Sequence, residues 1–239
     1  MKKIAIFVEG KTERLFVEKL LKEMVTEKRL SITVLEYSGG GSAGVRTVTL
    51  RYQTTNDPAQ EFFVQIVQCG NDERVATDIA DSYTGLMREG FTTIIGMRDV
   101  YPEAMYAQVP LLRQGLGYRF ARFAVKPVFV LGVMEIEAWF LREHSHFGRI
   151  HSNLTCARVL AELGFDPNAE DMQARPCPSD DLHRIYQLEG RAYIKHGHRS
   201  QIQRTMDALD YDQIYFHMIN DFPDLKNLID TLNSFFLSQ

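Results

Sequence analysis

Over roughly the first 140 positions, two spacings of apolar residues take turns along the chain. Nearly continuous apolar runs occur at 4–8 (IAIFV), 31–37 (SITVLEY), 62–68 (FFVQIVQ), 92–97 (TTIIGM) and 127–133 (PVFVLGV). Runs of that length and continuity predict strands buried on both faces. Between them lie stretches whose apolar residues recur every three or four positions, the period of a helix packed by one stripe. Phe16, Val17, Leu20, Leu21 and Met24 place a helix from Thr12 to about Arg29, with Thr12 as N-cap and Glu13 favoured in the first turn. Val75, Ile79, Tyr83 and Leu86 place another over 73–89. The segment 45–52 (VRTVTLRY) alternates and predicts a half-exposed strand, reached through the glycine-rich loop 38–44. The alternation of strands and helices predicts an α/β fold, a mainly parallel sheet flanked by helices. From 144 onward no long apolar run remains. Helical patterns at 154–164, 179–190, 200–210 and 224–236 replace it. The expected organisation is an α/β domain over 1–143 and a helical C-terminal subdomain over 144–239 packed on it.

Acidic residues follow the carboxyl ends of three of these strands: Glu9 after the first, Asp99 after 92–97, and Glu135 with Glu137 after 127–133. In parallel sheets ligands bind beyond that edge. Carboxylates gathered there are hard oxygen ligands suited to Mg²⁺ or Mn²⁺. Such ions polarise phosphodiesters and activate water. Glu135 and Glu137 share a face in a strand but lie about 200° apart in a helix, so geometry alone does not choose between them. A phosphate cradle is the competing reading of Gly10-Lys11-Thr12. It fails because the first glycine of a G-x-x-x-x-G-K-[ST] loop would fall at Ala5, inside the strand.

The 239 residues are 45% hydrophobic with a net charge of −4, so the protein as a whole is no polycation. Basic residues are nevertheless grouped. No acid lies between Glu103 and Glu135, where Arg113, Arg119, Arg122 and Lys126 fall. A second basic stretch, 183–204, includes Arg191, Lys195, His196 and Arg199. Local basic faces on an acidic protein fit a polyanion bound at a defined place. Three cysteines without a C-x-x-C spacing give no disulfide framework, and no apolar run approaches the length of a membrane span. These features lead to the expectation of a cytoplasmic protein with no membrane partner. His144, His146, His151 and Cys156 do not match a zinc-finger spacing and read as a polar loop.

These motifs resemble a family. IAIFVEGKTE is similar to the first motif of the Toprim domain, IIGMRDVYP to its Asp-x-Asp motif, and VMEIEAWFL to the third acidic element of Toprim proteins of the DUF4276 family, relatives of OLD-type nucleases. GRAYIKH resembles that family's C-terminal Tyr-x-Lys segment. The resemblance implies Glu9, Glu13, Asp99, Glu135 and Glu137 as ligands of Mg²⁺ or Mn²⁺, with Glu9, Asp99 and Lys195 catalytic; of the EIEAW pair, Glu137 keeps the E-x-W spacing of related proteins and is the first choice, Glu135 the second. It places Lys11, Arg98, Arg191, Tyr193, Lys195 and Arg199 on the substrate. Tyr101 stands where the second aspartate of Asp-x-Asp belongs, which removes one carboxylate from the set. The expected activity is metal-dependent hydrolysis of DNA or RNA, and the resemblance implies an ATPase partner and a role in defence against mobile elements; the sequence leaves a homo-oligomer open. The alternative is a non-catalytic nucleic-acid-binding or regulatory subunit that keeps a degenerate Toprim site. A phosphohydrolase of small nucleotides is a third reading.

Overall fold

The structure, a computed structural model, describes residues 1–40, 44–54, 57, 59–195 and 197–237. Part of the expected glycine-rich loop, 41–43, and His196 of the second basic stretch lie outside the described residues. The protein is α/β. Six strands, β1 (Lys2–Val8), β2 (Leu30–Gly39), β3 (Arg46–Gln53), β4 (Phe62–Gln68), β5 (Thr93–Asp99) and β6 (Val128–Gly132), form one mostly parallel sheet flanked by helices. Their order is β3-β2-β4-β1-β5-β6. β1 lies parallel to β4 and β5, β2 lies parallel to β4, and β3 pairs antiparallel with β2.

Burial follows position in the sheet. Ile4 through Val8 of β1 are fully buried, as a central parallel strand covered on both faces requires. Edge strand β3 exposes Val48, Leu50 and Tyr52.

By packing, the chain divides into two compact units. One comprises Met1–Arg98, Pro110–Val130 and Asn227 onward; the other comprises Asp99–Val109 and Leu131–Lys226. The chain crosses between them four times: at Asp99, the last residue of β5; between Val109 and Pro110; within β6; and between Lys226 and Asn227. In the first unit, α1 (Lys11–Met24) follows β1, α2 (Asp72–Glu89) follows β4, and α3 (Val109–Arg119) lies almost wholly there. The second unit holds α4 (Glu137–Arg142), α5 (His146–Ile150), α6 (Cys156–Leu163), α7 (Pro178–Gln187), α8 (Arg199–Ala208) and α9 (Tyr211–Phe216). α10 (Pro223–Leu237) begins in the second unit and ends in the first.

Several boundaries differ from the periodic reading. α1 is capped by Gly10, not Thr12, and the Glu13 side chain accepts the Gly10 N–H at 2.9 Å. It stops at Met24 because Val25 turns extended, leaving Glu27–Arg29 as a separate 3₁₀ turn. The β-branched pair Val25-Thr26 favours that break. α2 follows its prediction closely: Asn71 accepts the Arg74 N–H at 3.1 Å, and Gly90 in the left-handed region (φ 82°) closes the helix. The histidine segment is no polar loop. His146 is fully buried, with Nε2 at 2.9 Å from the Tyr186 hydroxyl.

Candidate functional site: carboxylates around Lys195

The site is assembled in the second unit where two strands end. β5 delivers Asp99, which is 1% exposed. β6 ends at Gly132, and Gly132 is required there. A Cβ on it would lie 2.8 Å from the Ile136 nitrogen and inside the Asp99 carboxylate. Beyond β6 the backbone doubles back: the Val100 N–H donates to Gly132 O at 3.0 Å and the Tyr101 N–H to Met134 O at 2.9 Å. Met134 takes a left-handed conformation, φ 59°, in this turn. A non-glycine residue held there stores strain of order 1 kcal/mol, a feature concentrated at functional sites.

That turn resolves the geometric conflict between Glu135 and Glu137. Neither a regular strand nor a regular helix spans both residues. Glu135 sits in the turn and Glu137 opens α4, so both side chains reach one centre. The Ile136 N–H between them donates to Asp99 Oδ1 at 2.9 Å. Glu135 accepts the Ser179 N–H at 2.7 Å and the Ser179 hydroxyl at 3.0 Å. Ser179 lies in the first turn of α7, where exposed amides favour negative charge. Glu137 Oε1 accepts the Tyr193 hydroxyl at 2.6 Å.

Lys195 is the cation of this centre. Its Nζ donates to Asp99 Oδ2 and lies 3.5 Å from Glu135 Oε1 and 3.6 Å from Glu137 Oε2. Oxygens of Asp99, Glu135 and Glu137 all lie within 4.8 Å of one another, a grouping that could hold a metal ion. All three carboxylates are buried. Glu137 is fully buried, and its Oε2 accepts no hydrogen bond. Burial pushes its carboxyl up to about 7; Lys195 opposes the shift, Glu135 and Asp99 add to it, and the Tyr193 hydrogen bond opposes it. Among the described residues, three buried carboxylates face the one ammonium of Lys195. Hard oxygen donors and an orphaned carboxylate oxygen fit a divalent cation such as Mg²⁺ or Mn²⁺.

The other sequence-selected residues are placed as follows. In the first unit, Glu9 lies just past β1, its N–H donating to Met97 O at 3.2 Å and its carbonyl accepting the Gly70 N–H at 2.7 Å. Glu13 is 1% exposed and caps its own helix, Lys11 opens that helix, and Arg98 is buried in β5. In the second unit, Arg191 and Arg199 are exposed, whereas Tyr193 is buried with its hydroxyl on Glu137. Tyr101 pairs with the Cys177 thiol. Ser179 went unnoticed in the sequence. A serine after proline at a helix start was the available signal, and nothing local ties it to Glu135.

No family model matches the sequence, and no curated protein matches it. Among solved structures, a candidate cell surface hydrolase from Lactobacillus plantarum WCFS1 aligns at 14% identity with a TM-score of 0.31, over 55% of this chain and 52% of that one. The aligned part is about half of either chain and carries nothing about activity. No described helix is long and apolar enough to cross a membrane.

Proposed function

We propose that the protein is a Mg²⁺- or Mn²⁺-dependent nuclease with a Toprim-like centre. The observation that carries this reading is the group of three buried carboxylates, Asp99, Glu135 and Glu137, sharing the single ammonium of Lys195. Asp99 and Glu135 are held in place before any ion arrives, one by the Ile136 amide and the other by Ser179. Glu137 would hold the ion as a carboxylate, since metal binding competes with protonation. The bound ion would polarise the scissile phosphate and lower the pKa of its water. Lys195, which pairs with these carboxylates here, would be the cation placed to pair with a phosphate oxygen. The Toprim resemblance assigns Glu9 and Glu13 to the same chemistry, and it brings in an ATPase partner and a defence role.

The test is cleavage of plasmid, single-stranded DNA and tRNA in Mg²⁺ or Mn²⁺, with Asp99→Ala and Glu9→Ala proteins alongside. Loss of cleavage by a factor of about 100 or more in Asp99→Ala is expected. An Asp99→Ala protein as fast as the parent would end the proposal. Tyr101 in the place of a second aspartate favours one other reading, a nucleic-acid-binding or regulatory subunit without turnover. Calorimetric titration with Mn²⁺ separates the two, because the nuclease requires binding in the micromolar-to-millimolar range.

A further inference from the structure

In the first unit, α3 is poorly explained by its own packing. Leu116 is its one buried residue among those described. At about 100° per residue, Leu111 and Tyr118 fall on the side opposite Leu116, and they are 67% and 74% exposed. Gln114 lies between them on that outward side. Gly115 and Gly117 are helical, and a Cβ on either would meet nothing within 4 Å. No close packing within the chain calls for glycine at these positions, and glycine is the least favourable helix residue after proline. Bare backbone beside an exposed tyrosine is what a closely approaching ligand needs.

The charged residues that this segment itself carries are all basic. Arg113, Arg122 and Lys126 are exposed in a stretch that contains no acid from 104 to 134. The segment after the helix is fixed in place: Phe120 packs on Phe129 at 5.2 Å, Phe123 on Tyr83 at 4.1 Å, and the Val125 N–H donates to the Tyr83 hydroxyl at 2.9 Å. Arg119 is tied to Thr77 of α2 and braces the helix end.

We infer that the outward face of α3 and the segment to Lys126 bind single-stranded nucleic acid, with Tyr118 stacking on a base and Arg113, Arg122 and Lys126 on backbone phosphates. The inference rests on the proposed function only for the class of ligand. Isolated aromatic platforms flanked by cations are how such strands are held without sequence preference. A helix lying in a membrane surface needs a continuous apolar face, and here glutamine and two glycines interrupt it.

The experiment is fluorescence anisotropy of a labelled oligothymidylate of about 16 nucleotides, in chelator so that cleavage plays no part. Tyr118→Ala should weaken binding roughly ten-fold. Combining Arg113→Gln, Arg122→Gln and Lys126→Gln should reduce the slope of log affinity against log salt by about 2, at about 0.7 per phosphate contact. Gly115→Ala and Gly117→Ala should each raise the Tm by about 2–4 °C while weakening binding several-fold. A purely structural helix gives the first effect without the second. Absence of binding by the parent, unchanged affinity in Tyr118→Ala, or binding of phosphatidylserine vesicles in preference to the oligonucleotide would each overturn the inference. A protein that binds in chelator yet cuts nothing in Mn²⁺ loses the nuclease reading and keeps this surface.

Discussion

Each unit buries ionised groups, and the two solve the problem differently. In the first, Asp78 is 2% exposed by side chain and faces Arg46, whose guanidinium bonds both carboxylate oxygens, the Cys69 carbonyl and the Gly39 carbonyl. One carboxylate meets one cation, and the fork of the guanidinium matches it oxygen for oxygen. In the second, three buried carboxylates meet one ammonium, a point charge without that geometry. The first arrangement is balanced and offers nothing to a visiting ion. Among the described residues the second is short of positive charge, and burial, with the neighbouring Glu135 and Asp99 adding to it, draws a proton onto Glu137 near neutral pH. Burial alone is therefore a poor sign of function; the informative feature is burial without charge balance.

Removing the cation from each region gives the largest effect and the sharpest contrast. Lys195→Met leaves three buried carboxylates uncompensated and should cost about 3–5 kcal/mol in ion-free buffer. Arg46→Met strands a single carboxylate and should cost a comparable amount. The two should part on adding Mn²⁺: the Tm of Lys195→Met should rise more than that of the parent, because an ion takes the vacated place, while Arg46→Met should gain no more than the parent. Thermal unfolding with and without Mn²⁺ reads this directly. Equal responses in the two variants would mean that the carboxylate cluster is only a structural ion pair.

The balanced and unbalanced regions were not equally legible in the sequence. The central strands were, because continuous apolar runs have few other uses, and Asp99 and Glu137 stood out as acids directly after them. The α2 boundaries were also readable from Asn71 and Gly90. The end of α1 was not, since Val25 continues the apolar pattern and breaks the helix only through its backbone. Lys195 was named, but its position among the carboxylates depends on a contact 96 residues away in sequence. Glu135 comes second on the E-x-W spacing of related proteins, and the sequence does not show that both side chains reach one centre. The left-handed Met134 that makes both possible has no signature in residue type. The Arg46–Asp78 pair has no sequence signal, as Arg46 opens β3 while Asp78 lies in α2, and no motif links the two.

A smaller effect comes from the proton on Glu137. Its folded pKa, about 7, is above the ordinary 4.5. The stabilisation linked to that proton is fully present below about pH 4.5, where both states hold it, and is lost as pH rises through about 7. Stability of the ion-free protein should thus fall across that window with a slope of up to about 1.4 kcal/mol per pH unit from this group. Glu137→Gln should flatten the profile, as followed by denaturant unfolding between about pH 5 and pH 8. Mn²⁺ affinity should run the other way and strengthen with pH, since the ion must displace the proton. A parent and a Glu137→Gln protein with superimposable profiles would show that the proton resides elsewhere.

The smallest effect separates holding a carboxylate from neutralising it. Ser179→Ala removes the hydroxyl at 3.0 Å from Glu135 Oε1 but keeps the backbone N–H at 2.7 Å on Oε2. The expected cost is about 1 kcal/mol. Asn71→Ala, which removes the cap of α2 in the first unit, should cost about the same. The pair is matched in energy and differs only in what the lost donor faced. In Ser179→Ala the freed Oε1 is one that already lies within reach of the Lys195 ammonium, so Mn²⁺ should bind a few-fold tighter by calorimetry, because one fewer donor competes for that oxygen. In Asn71→Ala the ion affinity should stay at the parent's value. If both variants shift Mn²⁺ binding together, the change reflects general loosening and Ser179 has no particular hold on the site.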